Sequence, residues 1–259
     1  MKKDIFVKLA SNRFLFEELV KRDFKAKYKR TVLGMAWSIM APLAHLLIMA
    51  VVFTRFFGAN IPHYIIFIFS GNIIFSFFSE STKGGMGSIL GNAPILTKIN
   101  IPKYLFLMAK NVQSFVNFAL ILLVYFIFVA VDGIPFTWKF VCLLYPIVCL
   151  LLFNIGIGMV LSACYVFFRD TQYLYDIFTQ ILMYASAVFY TVDRYSPFAQ
   201  NLFLLNPIYL FIRYFRKIVI DSIVPSGWFH LLMAVDVVIA LSAGCWMYKK
   251  YNTKFLYYL

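Results

Sequence analysis

"KAKYKRTVLGMAWSIMAPL", residues 25–43, falls into two unlike parts. Its first six residues carry Lys25, Lys27, Lys29 and Arg30; the rest carries no charge, and none follows until Arg55. A helix needs about 20 mostly apolar residues to cross a bilayer, and the uncharged run from Thr31 to Thr54 is that long. Basic residues stacked in front of such a run hold its start on the cytoplasmic side.

The remainder of the 259 residues repeats the theme. Hydrophobic residues make up 63% and charged residues 14%, and the mean hydropathy is +0.82. A soluble domain is about half apolar and a quarter charged, so this composition cannot supply a water-facing shell. The fold class is an all-α polytopic membrane protein. Six spans are expected: 34–57, 64–81, 111–131, 140–167, 177–191 and 228–248. The fifth is short, so the helix before it is expected to feed into it.

Between spans five and six, "YSPFAQNLFLLNPIYLFIRYF" is apolar but interrupted by Pro197 and by Asn206-Pro207. Proline removes a donor and clashes with the preceding turn. The stretch about 195–222 therefore reads as a pair of short re-entrant helices, with backbone that must be shielded at membrane depth. The chain divides into a cytoplasmic region, 1–30, and a six-span domain, 31–259.

Lysine and arginine set the orientation. With six spans, eighteen of the 24 fall on the side of the N-terminus and six on the other, which places both termini in the cytoplasm. The formal charge of +13 does not point to nucleic acid, because the basic residues sit between spans rather than on one soluble face. The N-terminal stretch does not read as a cleavable leader, since its basic region and its apolar run are both too long.

Upstream of the first span, "SNRFLFEELVKRDFKAKY" sets Phe16, Val20, Phe24 and Tyr28 at four-residue steps, with Glu17, Glu18, Lys21, Arg22 and Lys25 on the other face. This is the pattern of an amphipathic helix lying in the membrane interface, with Ser11 or Asn12 as its cap.

No catalytic pattern stands out. Gly-Lys never occurs, so no phosphate-cradling loop of the G-x-x-x-x-G-K-[ST] type is present. Cys142, Cys149, Cys164 and Cys245 show no metal-ligand spacing and read as free thiols. His45, in the first span, reads as a hydrogen-bonded core histidine. Asp236 falls near the middle of the sixth span, where an acid is expensive; it reads as hydrogen-bonded or partly hydrated within the bundle.

Four stretches carry a family resemblance: "KYKRTVLGMAWSIMAPL" (27–43), "NAPILTKINIP" (92–102), "VFFRDTQYLYDIF" (166–178) and "LLNPIYLF" (204–211). In this order they resemble the membrane subunits of bacterial polysaccharide-exporting ABC transporters, the permeases for O-antigen, capsule and teichoic acid. Lys27 departs from the arginine common there and gives up the planar fork. The resemblance implies half of a homodimeric channel in the bacterial cytoplasmic membrane, driven by two copies of a separate cytoplasmic ATPase. ATP and magnesium would be bound by that partner, leaving this chain no cofactor and no catalytic or metal site of its own. The substrate implied is a lipid-linked glycan. The stretches 92–102 and 169–178 would couple to the ATPase, through Pro94, Leu96, Lys98, Arg169 and Asp170.

Seventeen Tyr, thirty Phe and four Trp also suit a path for sugar rings, whose C–H faces stack on aromatics. Trp37, Tyr184 and Tyr190 are the candidates. Ten basic residues among the first 30 exceed what orientation needs, so Arg22, Lys27 and Arg30 are candidates for holding an anionic head group. An exporter of drugs or small lipids built on the same fold is the alternative. A membrane enzyme acting on polyprenyl-linked sugars is a further one, and it would need a paired-acid cluster that the sequence lacks.

Overall fold

The computed structural model describes residues 13–258, apart from residues 30, 58–60, 100 and 194. Arg30 and the expected caps Ser11 and Asn12 lie outside the described residues. Helix α1 (Arg13–Tyr28) is followed by a 3-10 turn (Gly34–Ala36) and α2 (Trp37–Phe57). Then come α3 (Tyr64–Met86), the short α4 (Ala93–Leu96) and α5 (Tyr104–Val131). A 3-10 segment (Trp138–Leu143) leads into α6 (Leu144–Phe167), and α7 covers Thr171–Ala185. The short α8 (Pro197–Phe203) and α9 (Pro207–Val219) precede α10 (Gly227–Tyr251) and a closing 3-10 turn (Lys254–Tyr257).

Among the described residues, five stretches are long and apolar enough to cross a membrane: Gly34–Thr54, Tyr64–Met86, Tyr104–Val131, Trp138–Phe167 and Gly227–Tyr251. The remaining expected span differs. Its helix, α7, begins at Thr171 and stops at Ala185, six residues earlier at each end than expected. No helix breaker separates Thr171 from Ala185, so the coupling stretch feeds directly into the short span, as expected, and the two form one helix. At 1.5 Å per residue its 15 residues reach about 22 Å, short of a hydrocarbon core of about 30 Å.

The axis of the bundle is α3, with seventeen of its 23 residues buried. It packs against α2, α5, α6 and α9. Phe77 stacks on Phe118 of α5 at 4.5 Å, and Phe69 meets Tyr125 edge-on at 5.3 Å. Phe153 of α6 approaches Phe211 of α9 at 5.9 Å. Much of the aromatic load therefore fills the interior. Helices α6 and α10 approach closely at Gly156, where a Cβ would lie 2.5 Å from the backbone carbon of Ala240. Small residues permit such contacts between spans, where lipid offers no hydrophobic drive.

The interrupted stretch forms two short helices, as its prolines require. Pro207 occupies the first turn of α9, where its missing N–H costs nothing. The Asn206 side chain accepts from the Ile208 amide at 3.0 Å and donates to the Ala185 carbonyl at 3.1 Å. One residue thus caps α9 and ties it to the end of α7.

Arg216, the tenth residue of α9, is buried. Its guanidinium donates to the carbonyls of Phe67 (3.0 Å), Ala187 (2.9 Å) and Val188 (2.7 Å), and lies 3.4 Å from the Phe67 ring centroid. Gly71 makes room for it: a Cβ there would lie 2.6 Å from Arg216 Nη2 and 3.2 Å from the Val188 carbonyl oxygen.

Arg216→Leu strands carbonyls that the guanidinium now satisfies, and is expected to cost about 2–5 kcal/mol. Gly71→Ala is expected to cost about 1–3 kcal/mol through overpacking. Both should lower the melting temperature of the purified protein in detergent. An Arg216→Leu protein that melts with the parent would show that this anchor does not hold the fold.

Candidate functional site

The end of the bundle that carries α1 is laced by polar side chains. Helix α1 lies across the start of α5. Its inward face, Leu15, Phe16, Leu19 and Val20, joins a second core with Ile89, Leu96, Leu105, Phe106, Val166 and Phe255. The amphipathic pattern thus packs on protein along one face, while Glu17, Glu18, Lys21 and Lys25 remain exposed.

Asp23 is 5% exposed and carries the junction. Arg22 Nη2 donates to Asp23 Oδ1 at 2.8 Å, and Lys110 Nζ of α5 lies 3.0 Å from Asp23 Oδ2. Gln113 Nε2 donates to the Asp23 carbonyl at 3.2 Å. The same Arg22 nitrogen reaches Asn92 Oδ1 at 2.7 Å, next to α4. Lys27 Nζ donates to Glu80 Oε1 of α3 at 2.7 Å, and Asn117 Nδ2 donates to the same oxygen at 2.7 Å.

Beside that pair lies a cavity of about 350 Å³, lined by Lys27, Trp37, Ser38, Pro42, Glu80 and Asn117 among others. Pro42 helps shape it, because it has no N–H to give the Ser38 carbonyl one turn back in α2. A cation, a carboxylate, an amide and an indole facing one space can hold a polar head group or a sugar.

Three residues continue the lacing from Glu80. Ser81 donates to Asn111 Oδ1 of α5 at 2.5 Å. Tyr175 of α7 donates to Thr82 at 2.6 Å, and Lys83 Nζ pairs with Asp176 Oδ1 of α7 at 2.7 Å. Four consecutive residues at the end of α3 therefore hold α1, α5 and α7.

The residues expected for ATPase coupling are all at this end. Pro94 and Lys98 are exposed, as are Arg169 and Asp170 at the start of α7, and the Arg169 guanidinium lies 5.9 Å from the Tyr165 ring. Leu96 faces inward, into the second core. Leu96, Lys98 and Lys103 line a groove of about 460 Å³ together with Leu256 of the C-terminal turn.

The three path candidates do not meet. Trp37 is half exposed at the cavity beside Lys27. Tyr184 is exposed at the far end of α7, and Tyr190 donates to its carbonyl at 2.8 Å. Of the head-group candidates, Arg22 and Lys27 are brought to this end but each is engaged by a carboxylate.

Of the two polar residues expected within the spans, His45 departs from its reading and Asp236 keeps only the partly hydrated one. His45 is exposed on α2, with no hydrogen bond among the described residues, because only the opposite face of α2 packs on the bundle. Asp236 is half-buried and likewise has no hydrogen-bond partner among the described residues. Sequence reading also passed over Asp23, Glu80 and Asn117. Their signal was present: Asn111, Gln113, Ser114 and Asn117 make a polar patch in the first half of an otherwise apolar span.

Residues 15–220 match the family model described as ABC-2 type transporter. The chain is similar to the O-antigen export system permease protein RfbA of Myxococcus xanthus, 30% identical over 237 residues that cover 90% of each chain. It is 23% identical over 249 residues to RfbA of Klebsiella pneumoniae, covering 93% of this chain and 95% of that one. It is 22% identical over 237 residues to the polysialic acid transport protein KpsM of Escherichia coli, covering 90% and 92%.

Asp23→Asn removes the charge that Arg22 and Lys110 share. The expected cost is about 1.5–3 kcal/mol, the range for hydrogen bonds to charged groups. Helix α1 should loosen first, so trypsin should cut at Lys25, Lys27 and Lys29 well before it cuts the parent there. Unchanged cleavage would mean that α1 is held by its apolar face alone.

Proposed function

We propose, from the premise that this chain belongs to the ABC-2 type transporter family, that it is the permease subunit of an ABC transporter exporting a lipid-linked polysaccharide across the bacterial cytoplasmic membrane. The observation that carries this reading is similarity along about nine-tenths of both chains to permeases named for O-antigen and polysialic acid. Both termini lie in the cytoplasm in this reading, and α8 and α9 form the re-entrant pair.

ATP hydrolysis belongs to a separate ATPase, two copies of which drive two copies of this chain. Contact with the ATPase falls on Pro94, Lys98, Arg169 and Asp170, with Leu96 anchoring its stretch from within. A push near Asn92 reaches α1 through Arg22 and α5 through Asp23 and Lys110. A push at Arg169 or Asp170 acts on α7 directly, and on α3 through Lys83 and Thr82.

The homodimer reading is supported by the exposed faces of α2 and α7. On α2 these carry Met40, Leu47, Ile48 and Val51, and on α7 Leu174, Ile177, Phe178 and Ile181. The same helices also expose His45 and Gln180 near their middles. Polar groups at that depth are costly against lipid and usually face protein or water. A wet path between two copies accommodates them, and Trp37 and Tyr184 extend it toward the two ends. Tyr190 positions Tyr184 through its backbone bond. Arg22, Lys27 and Arg30 mark the cytoplasmic entrance. Because Glu80 already neutralises Lys27, an anionic head group must displace that carboxylate to bind there.

The test is reconstitution. Inside-out vesicles holding this chain and its ATPase should move a lipid-linked glycan into the lumen when ATP is added, and neither subunit alone should do so. Purified chain alone should hydrolyse no ATP. Vesicles that move amphipathic drugs or short lipids but no glycan would overturn the reading in favour of a small-molecule exporter.

A further inference from the structure

At the end of the bundle opposite α1, a cavity of about 180 Å³ opens between α9, the 190–193 turn and the segment preceding α3. By the share of volume a water takes in the liquid, that is room for roughly six waters. Its charged lining is ordered by depth. Arg216 is buried beneath it, Arg213 one turn earlier and the adjacent Lys217 are half-buried, and Asp193 and Asp221 are exposed at the rim.

These charges do not close on one another. Arg213 Nη2 and Asp193 Oδ1 are 3.9 Å apart, the outer limit of an ion pair. Lys217 and Asp221 face the same cavity, and neither makes an ion pair among the described residues. Lys217 Nζ instead lies 4.9 Å from the Phe229 ring centroid, and Arg213 lies 5.8 Å from the same ring. Half-buried cations gain most from charge-assisted hydrogen bonds, yet here their opposite charges stay across an open space.

We propose that this cavity binds a zwitterionic phosphoethanolamine head group. The phosphate sits against Arg213 and Lys217, and the ammonium sits outward between Asp193 and Asp221. The cavity supplies both charges of such a head group side by side, the cations half-buried and the acids at the rim, with apolar Ile61, Phe67 and Ile220 among its lining. Arg216 is committed to carbonyls and adds positive potential without being needed as a ligand. A purely anionic ligand would satisfy the cations but would meet the two carboxylates at the mouth. The inference does not depend on what the protein transports.

The experiment is native mass spectrometry of the full-length chain, delipidated in detergent and titrated with dioleoylphosphatidylethanolamine, dioleoylphosphatidylglycerol or inorganic phosphate. The parent should hold one phosphatidylethanolamine per chain at least about tenfold more tightly than phosphatidylglycerol, a difference of about 1.4 kcal/mol. Arg213→Gln with Lys217→Gln should lose that adduct. Asp193→Asn with Asp221→Asn should keep phosphate-dependent binding and erase the preference for the amine. Equal binding of the two lipids by the parent overturns the proposal, and this comparison needs no variant to fold. Displacement of phosphatidylethanolamine by millimolar phosphate alone would mark a free-phosphate site and overturn it as well. So would undiminished binding by the Arg213→Gln, Lys217→Gln protein.

Discussion

A guanidinium inside an apolar bundle can persist only if its surroundings replace the water it has lost. Arg216 meets that condition with backbone carbonyls rather than with an acid, drawing on Phe67 of α3 and on Ala187 and Val188 beyond α7. The consequence is topological. A short amphipathic helix such as α9 could dock on the bundle in several registers if only apolar residues held it. The arginine admits one register, because only there do three carbonyls and the space above Gly71 coincide. The turn 186–190 is fixed by the same contacts, and its residues 186–189 are buried although they belong to no helix. Tyr64 donating to the Phe189 carbonyl at 2.9 Å and Phe53 stacking on Phe189 at 4.6 Å build on a loop that Arg216 has already placed.

Most of the helical plan was open to sequence reading because it follows from apolar run length and proline position. The second span begins and the third ends where expected, although the second runs on to Met86 past Lys83 and the third begins at Tyr104, seven residues early; the Asn206-Pro207 break starts α9 as expected. The fifth span was misplaced because Thr171–Ile177 is polar enough to look like a connection, although nothing in it stops a helix. Depth could be read from the sequence; facing could not. His45 is one polar residue in an apolar stretch and Arg216 one of three cations in α9, yet His45 is exposed while Arg216 is buried. That difference comes from which neighbouring helices cover each face.

Site residues were legible by location and illegible by partnership. A basic segment before the first span is visible to anyone counting charges. That Arg22 and Lys27 are each engaged by a carboxylate depends on Asp23 facing inward and on Glu80 arriving from 53 residues away. Glu80 looked like the ordinary polar end of a span. Its importance arises because Glu80, Ser81, Thr82 and Lys83 are consecutive, and side chains about 100° apart on a helix address different neighbours. Four adjacent polar residues can therefore hold α1, α5 and α7 at once.

The two ends of the bundle are built on opposite terms. At the end opposite α1 one buried cation satisfies many acceptors, and removing any part of that arrangement leaves a buried group unpaired. At the α1 end, apart from the buried Asp23 junction, the fastenings include pairs such as Lys27–Glu80 and Lys83–Asp176, whose partners are each about 40% exposed. Exposed pairs are worth about 0.2–1 kcal/mol each, so each can open and find water without large cost. A force applied at the α1 end thus meets exposed pairs that yield one at a time, while the opposite ends of α3, α7 and α9 stay together. The geometry favours motion in which α1 and the start of α7 shift first and the far end of α7 swings about the anchored 186–190 turn. A short α7 with few contacts along its length suits that role better than a fully packed span.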